Sequence, residues 1–100
     1  MARVVVSPSA DADADEIWAY LAKTAGAATA DKYDALFNEV YDRLAVDPDM
    51  YAARPRLGAK IRIAVVAPYL IVYEHATPDI VNIIRILHGS RRIRRSLLLG

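Results

Sequence analysis

The sequence predicts an α+β fold of order β-α-α-β-β-β, a helical hairpin packed on one face of a small, mostly antiparallel sheet. Three observations carry this. A β-branched run, "ARVVV" at 2–6, is followed at once by the helix start Ser7-Pro8. Two stretches of helical period then sit on either side of Gly26. Three apolar runs end the chain, at 60–67, 69–76 and 79–89, separated by Pro68 and by Thr77-Pro78.

Ser7 is placed to cap the first helix, with Pro8 at the first helical position, where a missing N–H costs nothing. Asp11, Asp13, Asp15 and Glu16 crowd the first turns, which the helix dipole favours. Ala10, Ala14, Ile17, Trp18 and Leu21 form its apolar stripe. The second helix is predicted over 28–46, burying Tyr33, Leu36, Phe37, Val40, Tyr41 and Leu44 and stopping at Asp47-Pro48. Residues 48–58 form a loop.

Strand alternation puts Ile61, Ile63 and Val65 on one side of their strand and Arg62 on the other. In the last strand Ile84 and Ile86 share a side opposite Arg85. The expectation is that Ile61, Ile63, Val65, Ile84 and Ile86 lie under the helices. Arg62 and Arg85 would then stand together on the open face, a mixed apolar and arginine surface suited to a partner.

With 100 residues, 55% hydrophobic and 25% charged, the chain fits one folded domain, 1–100, ending in a basic and apolar tail at 90–100. It has no cysteine, which excludes disulfides and thiol chemistry. No run approaches the roughly 18 apolar residues of a membrane helix, and the N-terminus does not read as a signal peptide, so a soluble, cytosolic protein is expected. The net charge of +1 conceals a division. Residues 1–50 carry four basic side chains against ten acidic, and 51–100 carry nine against two. Such a field can steer a charged partner.

Motif by motif, "DADAD" at 11–15 lacks the glycine and distal glutamate of a calcium loop and reads as a solvated helix face. His75 and His88 have no third ligand at suitable spacing, so neither a metal nor another cofactor is expected. Trp18, Tyr33, Phe37 and Tyr41 read as core, whereas the facing of Tyr69, Tyr73, Glu74 and His75 stays open. Gly89 breaks the last strand ahead of Arg91, Arg92, Arg94 and Arg95. Those arginines are suited to carboxylates on a protein partner, and Leu97, Leu98 and Leu99 argue against a purely solvated tail.

"VVVSPSADADADEIWAYLA", "RPRLGAKIRI", "VAPYLIVYEH" and above all "IIRILHGSRRI" resemble the ParE toxins of bacterial type II toxin–antitoxin systems, within the RelE/ParE superfamily. The resemblance spans Val4 to about Ile93. It implies the RelE/ParE-like fold already predicted, a toxin of the plasmid-stabilisation kind, and DNA gyrase as the target, inhibited by protein binding without catalysis. It also implies a ParD-like antitoxin whose C-terminal segment wraps the toxin in a hetero-oligomer. That segment is expected to be amphipathic, partly acidic and disordered when free. Arg62, Arg85, His88, Arg91, Arg92, Arg94 and Arg95 are the candidate antitoxin- or target-binding residues, with no membrane and no direct nucleic-acid binding. RelE-type relatives are ribosome-dependent messenger-RNA endonucleases that need an acid and a base at the ribose 2′-OH. Here no such pair is evident from spacing: Glu74 and His75 are adjacent and alternate in facing, and no tyrosine follows His88. An antitoxin-binding module without toxicity is the third reading.

Overall fold

The structure is a computed structural model, and it describes residues 1–89 and residue 98. Its elements are β1 (Arg3–Val6), α1 (Pro8–Ala25), α2 (Ala27–Val46), β2 (Ile61–Val66), β3 (Tyr69–Thr77) and β4 (Ile80–His88). The sheet order is β1-β4-β3-β2, with β1 parallel to β4 and the other pairs antiparallel. The expected order and class therefore hold.

Local chemistry sets the element ends. The Ser7 hydroxyl accepts the Ala10 N–H at 3.0 Å and donates to the Ile84 carbonyl at 2.8 Å, so the α1 cap is also a tie to the sheet. Gly26, at φ 96°, closes α1 and opens α2 in one residue, a backbone state that a side chain would resist. Trp18 is not core: it is 40% exposed, and its Nε1 donates to Asp31 across the helical hairpin at 3.0 Å.

Two apolar layers lie on opposite sides of the sheet. Under the helices, Ala10, Phe37, Val40 and Leu44 pack on Ala64, Tyr69, Ile71, Tyr73, Val81, Ile83 and Ile86. Burying one such large side chain contributes about 1.5–3 kcal/mol. On the other side Ile61, Ile63, Val72 and Leu87 form a second cluster with Leu57, Leu70, Ile84 and Leu98.

The expected facing is thus corrected. Ile61, Ile63 and Ile84 lie on the face away from the helices, and Val65, in register with them, is 57% exposed. Both faces of β2 are apolar, so alternation could not rank them. Ile86 does lie under the helices, because a bulge intervenes: Val72 pairs with Arg85 and Tyr73 with Ile83, leaving Ile84 extra. One added residue reverses the facing of everything beyond it.

Candidate partner-binding surfaces

β1 ends at Val6, paired with Ile83, so beyond that point the edge of β4 opposite β3 has no strand beside it among the described residues. A backbone N–H and a side chain at the start of α1 continue the pairing. The Ser7 N–H reaches the Ile83 carbonyl at 2.9 Å, and the Ile86 N–H donates to Asp13 Oδ2 at 3.0 Å. The same carboxylate receives Arg85 Nε at 2.7 Å and Nη2 at 2.9 Å. This two-pronged pair is mostly covered, with side-chain exposures of 17% and 12%. The hydrogen bonds to Asp13 raise the Arg85 pKa further, so the guanidinium stays charged.

Arg62 lies at the opposite edge. It pairs across the ladder with Tyr73, whose ring belongs to the helix-side layer, and is covered by the loop after α2. Its Nη1 donates to the carbonyls of Tyr51, at 2.6 Å, and Asp49, at 3.2 Å, while Nε lies 3.3 Å from the Asp49 carboxylate. His75 Nδ1 meets that carboxylate at 2.7 Å, and the bond from His75, followed by the nearby Arg62 charge, draws the Asp49 pKa down. Nε2 of His75 is buried without a hydrogen-bond partner. The Tyr73 hydroxyl donates to the Pro48 carbonyl at 2.8 Å, which fastens the same loop. Burial pushes that hydroxyl up to about 12.

Arg62 and Arg85 therefore do not stand together on the open face. One holds a loop at the β2 edge and the other ties β4 to α1. Glu74, paired with Asn82, faces away from the helices, whereas His75 is on their side with Val81. His88 closes β4 with its ring 5.7 Å from that of Tyr69, which is buried on the helix side. Arg91, Arg92, Arg94 and Arg95 lie outside the described residues. Among those described there is no cluster of three or more histidine or acidic side chains that would hold a metal, and no helix is long and apolar enough to cross a membrane.

What faces outward on the far side of the sheet is a cleft of about 370 Å³ lined by Arg54, Arg56, Leu57, Ile63 and Leu70. This mixed apolar and arginine surface is not the one expected from alternation: its arginines come from the loop before β2, and Arg62 and Arg85 have no part in it. Spacing alone gave no reason to single out Arg54 and Arg56. Asp13 did carry a signal. It falls at helical spacing with Ala10, Ala14 and Ile17, on the stripe that meets the sheet.

Comparison with known proteins agrees with this architecture. A chain of the chromosomal ParDE toxin–antitoxin system of P. aeruginosa superposes with a TM-score of 0.74. It is 21% identical and the match covers 88% of this chain and 96% of that one, a likeness of fold. No curated protein sequence matches. The family model for the ParE toxin of the type II toxin–antitoxin system parDE matches residues 4–93. With nine-tenths of its length under that model, and with the β-α-α-β-β-β fold, the chain belongs to the ParE toxin family.

Proposed function

We propose that this ParE-family chain is a cytoplasmic, non-enzymatic toxin that inhibits DNA gyrase by binding it and is neutralised by a ParD-like antitoxin. The observation favouring protein binding over RNA cleavage is the state of His75. Its Nδ1 is committed to Asp49 and its Nε2 is buried, so neither ring nitrogen is presented to a ribose hydroxyl. Arg62 and Arg85, the cations a nuclease would turn on phosphate, are spent on Asp49, Tyr51 and Asp13. The apolar cleft edged by Arg54 and Arg56 supports recognition of an acidic, amphipathic segment.

The test sets a gyrase supercoiling assay of the purified chain beside cleavage of mRNA on programmed ribosomes. Inhibited supercoiling with intact mRNA is expected. Cleavage without inhibition would replace the proposal with the endonuclease reading. Inactivity in both, with antitoxin still bound, would leave an antitoxin-binding module.

A further inference from the structure

A groove of about 420 Å³ opens between α1, the start of α2, the first residues of β3 and the end of β4. Three tyrosines line it, Tyr20, Tyr33 and Tyr69, together with His88. Tyr69 is buried, and its ring meets Tyr33 edge-on at 5.5 Å and His88 edge-on at 5.7 Å. These contacts fix the inner wall. Tyr20 is different: it is 63% exposed at the rim, so a core role does not account for it.

Glu16 lies one helical turn before Tyr20 and, among the described residues, is the one carboxylate lining the groove, with no Lys or Arg beside it there. Arg85 is near enough to feel Glu16, but its fork is closed on Asp13. Aromatic rings beside a carboxylate attract a cation, and a guanidinium best of all, since it stacks on a ring while its N–H groups reach the carboxylate. Ile17 and Leu21 offer an apolar wall suited to an aliphatic stem. The groove is larger than a lone ammonium needs.

We infer that this groove receives an arginine side chain of a partner protein, its guanidinium on the tyrosine rings and paired with Glu16. This goes beyond the proposed function and holds whether or not gyrase is the target. The test is an NMR titration of the full chain with Nα-acetylarginine amide and with its neutral counterpart, Nα-acetylcitrulline amide. The arginine probe shifts the Tyr20 and Tyr33 ring signals saturably and binds about fivefold more tightly than the citrulline probe. Tyr20→Leu and Glu16→Gln, both at exposed positions, each weaken it by about threefold while the melting temperature holds. Equal binding of the two probes would make this an apolar slot and overturn the inference. So would the absence of saturable shifts, indifference to both substitutions, or choline binding more tightly than the arginine probe.

Discussion

Arg85 and Asp13, 72 residues apart in the chain, are joined by two hydrogen bonds of 2.7 and 2.9 Å, and Asp13 also takes the Ile86 N–H. The helix thereby supplies the acceptor that a strand beside β4 would have offered. Arginine inside an apolar strand is thus explained by an edge. Its side chain leaves the sheet and closes on the covered carboxylate.

Removing either partner should destabilise the fold. Arg85→Ala strands Asp13, and Asp13→Ala strands both the guanidinium and the Ile86 N–H, at a cost of about 3 kcal/mol each. For a domain of this size that is a fall in Tm of more than about 10 °C. The double substitution should cost clearly less than the sum, since the pair acts as a unit. Thermal melts by circular dichroism check this, and an Arg85→Ala protein melting like wild type would rule the pair out as structural.

Gly89 is held for a steric reason. Its N–H donates to the Pro68 carbonyl at 2.6 Å, and a Cβ there would come within 2.9 Å of the same oxygen, a fixed backbone atom. Gly89→Ala is expected to push β4 away from the β2–β3 turn and cost about 1–3 kcal/mol. Amide exchange should quicken at Gly89 and neighbouring β3–β4 amides while α2 is spared. Unchanged exchange there would speak against the close approach.

Stability should drain at alkaline pH. Burial pushes the Tyr73 and Tyr41 hydroxyls to about 12, against about 10 in the unfolded chain. The folded state holds these protons where the unfolded state gives them up. Stability is therefore full below pH 10 and is lost as pH rises towards 12. Tyr73→Phe, which leaves the Pro48 carbonyl without this donor, costs about 1–2 kcal/mol at neutral pH and flattens the alkaline loss. Urea melts from pH 7 to 11 measure both effects.

Acid should act at Asp49 in the opposite sense. Its pKa is drawn down chiefly by the His75 hydrogen bond, so the stabilisation it gives is present above about pH 4 and fades as pH falls through its folded value. The loop after α2 is expected to loosen there, read as acid-induced movement of the His75 and Tyr51 ring signals. Asp49→Asn should abolish that acid step. If the step survived the substitution, another carboxylate would have to be responsible.

Element order was legible because local signals agreed with the fold: Ser7-Pro8, Gly26, Pro48 and the prolines between strands all mark real ends. Facing was not legible, because Ile61 and Ile63 on one side of β2 are matched by Ala64 and Val66 on the other. The bulge at Ile84 then broke the alternation on which Arg85 was placed. Arg62 and His75 meet on Asp49 only because the loop folds back over the sheet, which no spacing shows.

Arg54 and Arg56 give the last prediction, which rests on antitoxin binding. Both are exposed beside Leu57, Ile63 and Leu70, on the face away from the helices. Neither lies in the core, so Arg54→Glu with Arg56→Glu should leave the melting temperature within a few degrees. An acidic segment approaching this face is steered by those charges, and reversing them acts on encounter more than on the final contacts. Association with the antitoxin should slow by about tenfold at low salt, and the difference should shrink as salt rises, since screening removes what the arginines supply. Arg91→Glu with Arg92→Glu, in the tail, serves as the comparison. Stopped-flow association at several salt concentrations separates the surfaces, and slowing by the tail pair alone would move the antitoxin's landing site from the cleft to the C-terminus.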